Sequence, residues 1–391
     1  MRKRLIEIDY LRAYAVLMVA ALHFILIAAP RSPEIRGFLA KTGLDAGVDL
    51  FFVISGYVIS DALRELWAVT NGQEAVKKKS AVLLFYCKRF VRLWPAAACW
   101  LVINVFLAIV FSHLGFTFLP SVADTFRKAI AGLVYLYNFE EYLHPSALGY
   151  FWSLSVEWQF YVCFPILLLL ARTDARRLAI LGAALVISMY IAPGGQGWWM
   201  FRFDGLALGV LVYVVHRRLG VPVPKISLYS NKWFRGTGTL ILLAAVILSP
   251  RFTSSREVGF LLSSILACIL VWFAAADRGY VSCFGCRSVV AWLGSRSYSV
   301  YLCQVPAGFI AYALVTRLNG TSLVTLGAYW AYYLLSVGLT ALVGELTYRF
   351  VEKPSHAASR GLTLDSVGLV EVASVTPSAA PTGHSPSRLH V

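Results

Sequence analysis

Long apolar runs separated by short polar turns make up most of the chain, near residues 8–29, 46–66, 93–112, 150–170, 176–192, 200–216, 237–250, 257–275, 288–316 and 322–349. A helix needs roughly 20 apolar residues to cross a bilayer. The pattern therefore predicts an all-α polytopic membrane bundle of about ten transmembrane helices. Several runs are short for a full crossing, which points to tilted or broken helices. Residues 126–142 are only moderately apolar and read as a re-entrant or interfacial piece on the outer side. From His356 the chain becomes rich in Pro, Ser and Thr with little to bury. Residues 1–355 thus read as one membrane domain and 356–391 as a disordered cytoplasmic tail.

Composition excludes a soluble protein. Of 391 residues, 59% are hydrophobic and 14% charged, and mean hydropathy is +0.69. The formal net charge of +15 does not imply nucleic acid, because the basic clusters alternate with apolar spans. MRKR, KRFVR, RTDARR, HRR and YRFVEK instead read as cytoplasmic loops facing anionic lipid. An even span count then puts both termini in the cytoplasm. The opening MRKR and apolar run resemble a signal peptide, but Asp9 and Arg12 interrupt that run, so it reads as a retained first helix. The seven cysteines lie mostly in apolar runs as small hydrophobes. Cys283 and Cys286 form a lone C-x-x-C with no nearby histidine, which gives no metal site.

The first run carries Asp9, Arg12 and His23. Arg12 and His23 are 11 positions apart, which returns to nearly the same helix face about 16 Å further along. An ionisable group that deep in a span is a functional-site candidate, whereas Asp9 and Arg12 are close enough to the interface to snorkel. Arg89 and Arg92 are three apart on one face just before the third span. Two such guanidiniums suit a phosphate-bearing ligand, although flanking basic residues also simply set orientation. Ser153 and Glu157 share a face of the fourth span. A carboxylate there can serve a histidine on another helix by raising its basicity, as general-base chemistry on a hydroxyl requires, or it can be structural. Asp49, Arg202 and Asp204 are further charges at span ends, either pairing with an opposite charge or packing at the interface.

Taken in order, Arg12 with His23, GVDLFFVISGY, the arginine pair before LWP, WSLSVEWQFY, RFDGLALG, SYSVYLCQVP and YRFVEKP resemble the membrane-bound acyltransferase family 3. That family comprises bacterial O-acyltransferases of glycans and some antibiotics, and the likeness spans residues 5 to about 354. The resemblance implies transfer of an acyl group, usually acetyl, from cytoplasmic acyl-CoA to a sugar hydroxyl of a cell-envelope or secreted carbohydrate, lipid-linked or free. It implies acetyl-CoA as co-substrate and no permanently bound cofactor. By motif match, His23 and Glu157 fall on catalytic positions, Arg12, Arg89 and Arg92 on donor-binding ones, and Asp9, Asp49, Ser153, Arg202 and Asp204 on supporting ones. Gln304 stands where many relatives carry a histidine, and the tail is too short for the extracytoplasmic domain that some append. A separate periplasmic protein is then a candidate partner. Direct transfer and a covalent relay both fit. The rival classes are a flippase for lipid-linked sugars, disfavoured by the lack of an internal repeat, and a non-catalytic envelope-assembly partner.

The orientation is testable with reporters. A fusion after Val391 should read cytoplasmic and one in the loop PGGQGWW external. The same side for both would overturn the topology.

Overall fold

The computed structural model describes residues 5–28, 42–64, 75–116, 121–145, 149–171, 173–191, 201–224, 231–252, 256–281, 286–319 and 325–363. Residues 364–391 of the expected tail, the loop PGGQGWW, Arg31, Arg36, Lys41 and Cys283 lie outside them. Every regular element among the described residues is helical. In chain order they are α1 (Ile6–Ala28), α2 (Ala46–Ala62), α3 (Ala75–His113), α4 (Val122–Leu133), α5 (Tyr137–Leu143), α6 (Trp152–Leu170) and α7 (Asp174–Ile191). There follow α8 (Asp204–Tyr213), α9 (Lys232–Leu248), α10 (Arg256–Ala275), α11 (Arg287–Ser295), α12 (Ser297–Asn319), α13 (Leu326–Thr347) and α14 (Lys353–Gly361). Among the described residues each of the ten apolar runs is largely helical, and the run 288–316, expected as one span, divides into α11 and α12. Six helical stretches among the described residues are long and apolar enough to cross a membrane unaided. The chain is a multi-pass helical membrane protein.

Helix α1 is apolar around most of its circumference, the signature of a helix in the interior of a bundle. It supplies residues to all three apolar clusters. Leu11, Ala15 and Met18 join α2, α6, α8 and α10. Val16 and Val19 join α3 and α12. Ala20, Phe24 and Ala28 join α12 and α13. Small residues bring its neighbours close: a Cβ on Gly294 of α11 would lie 1.9 Å from the Asp9 carbonyl oxygen. The α2–α8 pair is nearly as close, and from both sides. A Cβ on Gly56 would lie 2.1 Å from the Leu206 carbonyl, and one on Gly209 2.2 Å from that of Val53.

Residues 126–142 form most of a helical hairpin, α4 and α5, which starts where α3 ends and finishes where α6 begins. Ser121 caps α4 by accepting from the Asp124 N–H at 3.1 Å. The tip reaches back along α3 and α6: Trp94 Nε1 donates to the Leu133 carbonyl at 3.0 Å, and Gln159 Nε2 donates to the Tyr135 carbonyl at 3.0 Å. Tyr135, at φ 56°, stacks on Trp158 with centroids 4.5 Å apart. Lys128 and Glu141 join the two arms through a 2.6 Å ion pair, each side chain 3% exposed. Non-helical backbone at membrane depth persists only where protein partners satisfy it, and these side chains do so.

The expected tail begins inside α14, which continues through Gly361.

The glycine contact gives a stability test. Gly56→Val should lower the thermal midpoint in detergent, at a cost of about 3 kcal/mol, the upper end for overpacking because a backbone carbonyl is what it meets. Gly182→Ala, with open space around it, should leave the midpoint unchanged or raised. Equal midpoints for Gly56→Val and wild type would show that α2 and α8 are not packed this closely.

Candidate active site

A cavity of about 370 Å³ opens near the N-terminal end of α1. Asp9 and Arg12 line it from α1, Arg89 and Arg92 from α3, and Ser153, Glu157, Trp158 and Tyr161 from α6. The far wall carries Glu352, His356 and Arg360. These last three are spaced i, i+4, i+8 and so share a helix face.

The cations are held by partners of different kinds. Arg12 reaches Asp9 at 3.1 Å. Arg89 lies over the Tyr161 ring, 4.9 Å from its centroid, and 5.5 Å from that of Phe85. Arg92 Nε donates to His356 Nε2 at 3.0 Å. A guanidinium has no acceptor atom, so His356 presents a lone pair to Arg92 and is neutral in this arrangement. The carboxylates have hydroxyl donors: Glu157 accepts from Tyr161, and Glu352 accepts from Ser299 at 2.5 Å.

At its inner end the cavity stops at a layer of hydroxyls. Tyr301 donates to the Tyr150 carbonyl at 2.7 Å. The Ser153 hydroxyl, 2.6 Å from Tyr301 Oη, is therefore the donor in that contact. Tyr150 donates onward to the Leu302 carbonyl at 2.9 Å and accepts from Asn104 at 3.1 Å. His23 lies beyond this layer. Its ring meets Tyr150 edge-on, centroids 6.2 Å apart, and it does not line the cavity.

The expected pairing of His23 with Glu157 therefore does not occur. Tyr150 marks the level of His23, and Glu157 is seven residues further along the same chain segment. Seven residues are about 10 Å of helix, which carries Glu157 away from His23 and towards the arginines. Facing His23 is Gln304 of α12. Asp49, Arg202 and Asp204 come together, but elsewhere. Arg202 bridges Asp49 at 2.5 Å and Asp204 at 2.9 Å, and it lies 4.0 Å from the Phe260 centroid. Ser264 adds a 3.2 Å bond to Asp204. This cluster joins α2, α8 and α10 and takes no part in lining the cavity.

Sequence reasoning did not reach Glu352, His356 and Arg360. In the sequence YRFVEKP reads as a basic cytoplasmic loop and as part of the family resemblance, and the residues from His356 read as a tail. Their spacing of four was the available signal.

A family model described as an acyltransferase domain matches residues 5–345. Among relatives, the peptidoglycan O-acetyltransferase OatA of Listeria monocytogenes is 28% identical over 386 residues, covering 90% of this chain and 56% of its own. YrhL of Bacillus subtilis is 27% identical over 383 residues, covering 89% and 54%. The chain spans about half the length of the curated relatives it matches. No solved structure matches it significantly. The chain belongs to this acyltransferase family.

Proposed function

We propose that this acyltransferase moves an acetyl group from acetyl-CoA to a hydroxyl of a cell-envelope glycan, with the name of the Listeria relative favouring peptidoglycan. The observation that carries the reading is one cavity with Arg12, Arg89, Arg92 and Arg360 at its mouth and an inner end one tyrosine layer from His23. CoA carries three phosphate groups and a long, narrow pantetheine arm. Guanidiniums at the mouth suit the phosphates, which they grip in bidentate fashion. The arm then extends between α1, α3 and α6 towards Ser153 and Tyr301. In this reading the mouth is cytoplasmic, and both termini lie on that side of the bacterial plasma membrane.

His23 takes the proton from the acceptor hydroxyl as general base. The oxygen attacks the thioester carbonyl carbon, the C–S bond breaks, and the CoA thiolate leaves and picks up a proton. Arg12, fixed by Asp9, places the donor and does not contact the reacting carbon. Glu157, hydrogen-bonded by Tyr161, lies on the donor side and orients the cavity wall there. The single domain runs to the end of α14, because His356 and Arg360 belong to the donor cavity.

The direct test is the ester-linked acetate that mild alkali releases from cell-wall glycan, compared between cells with and without the protein. Unchanged acetate in peptidoglycan and in every other envelope carbohydrate would overturn the reading.

Two substitutions separate binding from chemistry. Arg89→Ala with Arg92→Ala should weaken acetyl-CoA binding by about 10- to 100-fold, as expected when charge-assisted bonds worth ~1.5–3 kcal/mol are lost. Titration calorimetry on the purified double variant measures this, and an unchanged Kd would leave the arginines a topogenic role only.

His23→Gln should cut acetyl transfer by about 10²- to 10⁴-fold, the usual contribution of a general base, with acetyl-CoA affinity retained. Glutamine hydrogen-bonds and has similar bulk but does not accept a proton at neutral pH. Substantial turnover in that variant would remove His23 from the chemistry.

A further inference from the structure

His23 needs something to hold its ring, and the acid expected for that task is on the other side of the tyrosine layer. The packing of α1 on α12 shows what faces it instead. A Cβ on Gly308 would meet Ile27 Cδ1 at 2.9 Å and Phe24 Cδ1 at 3.3 Å. One turn earlier on both helices brings Gln304 opposite His23, and the carboxamide does face the imidazole. Gln304 is 0% exposed. Among the described residues neither its Oε1 nor its Nε2 makes a hydrogen bond of normal geometry, and the buried His23 Nδ1 likewise makes none. An amide in the middle of a membrane bundle is costly when unsatisfied, by several kcal/mol. Two complementary, facing, unsatisfied groups supply each other's missing partner after a small rotation about their side-chain torsions.

We infer that Gln304 is the positioning residue of His23, an inference that rests on the general-base reading of that histidine. Gln304 Oε1 accepts the Nδ1 proton, which fixes the tautomer and leaves the Nε2 lone pair for the acceptor hydroxyl. When His23 takes that proton, both nitrogens become donors, and the bond to Oε1 becomes charge-assisted and stronger. A neutral amide does this without adding a second ionisable group at a depth where each one is expensive. His23 is only partly buried although its Nδ1 is enclosed, which is the asymmetry the assignment requires. The competing acceptor is the Val19 carbonyl, one turn back on α1, which also approaches the ring.

The test compares Gln304→Leu, Gln304→His and His23→Gln in membranes supplied with acetyl-CoA and the glycan fraction that gains acetate in cells. Leucine keeps the bulk and removes both polar atoms. Gln304→Leu should lower kcat by about 10-fold or more, a share of the ~10²- to 10⁴-fold a positioned base supplies, with KM for acetyl-CoA unchanged. Gln304→His, whose Nε2 reaches where the amide lies, should restore most of the rate. A merely structural glutamine would change yield and KM together and would not be rescued by a ring of different shape. Full kcat in Gln304→Leu while His23→Gln is inactive would overturn the inference alone and assign the ring to Val19. Failure of Gln304→His to exceed Gln304→Leu would also overturn it. Activity in His23→Gln would overturn both this inference and the general-base reading beneath it.

Discussion

Arg12, Arg89 and Arg92 line one cavity, and like charges sharing a site of low dielectric repel one another. The surroundings offset that repulsion with partners of three kinds. Asp9 gives Arg12 a carboxylate, Tyr161 and Phe85 give Arg89 aromatic faces, and neutral His356 gives Arg92 a lone pair. Glu157 and Glu352 lower the local positive field while Tyr161 and Ser299 satisfy them. Among the described residues few of these guanidinium N–H groups are engaged in ion pairs, which in the proposed reaction leaves donors for the phosphates. A cavity of three tightly neutralised arginines would be more stable empty and worse at holding phosphate.

That arrangement demands a rigid frame, because α1, α3, α6 and α14 must keep their side chains in register. Helix α1 provides it by entering all three apolar clusters. The α4–α5 hairpin braces α3 against α6 through Trp94, Trp158 and Gln159. On the opposite flank, the Asp49–Arg202–Asp204 cluster and the glycine contact of α2 with α8 lock that lobe. The same helix that presents Arg12 to the donor cavity presents His23 some three turns later. In the proposed reaction, the spacing between the donor-holding and hydroxyl-activating ends is therefore built into one covalent segment.

Apolar runs and charged faces made much of this legible in the sequence. Helical spacing puts Arg89 with Arg92 on one face and Ser153 with Glu157 on another, and these four line the cavity together with Arg12, whose same-face partner His23 does not. What spacing does not report is the relative depth of different helices. Glu157 looked close to His23 because both fell in the outer half of their own spans, yet Tyr150 and not Glu157 sits at the level of His23. Composition misled at the C-terminus, where the chain from His356 onward reads as a tail although residues 356–361 continue a helix. Helix α14 is amphipathic and anchored by Ser359, which donates to the Lys88 carbonyl at 2.9 Å. Gln304 was noticed only as a departure from a resemblance, since its significance depends on which helix it faces.

The tyrosine layer explains how a thioester can be kept from water in the proposed reaction. The arginine mouth must be wet to admit a charged donor, and a wet, activated imidazole beside a thioester would hydrolyse it. Tyr301 and Tyr150 tie their hydroxyls into backbone carbonyls, so they form a fixed partition and not a mobile pair of acceptors. Ser153, bonded to Tyr301, extends the partition to α6. With the base beyond it, His23 meets the thioester only when the pantetheine arm has displaced water from the cavity and pressed into this layer. Water exclusion of this kind strengthens electrostatic contacts inside the site and suppresses hydrolysis together. The separation of His23 from the arginines is in that sense the condition for transfer to a sugar in preference to loss of the acetyl group to solvent.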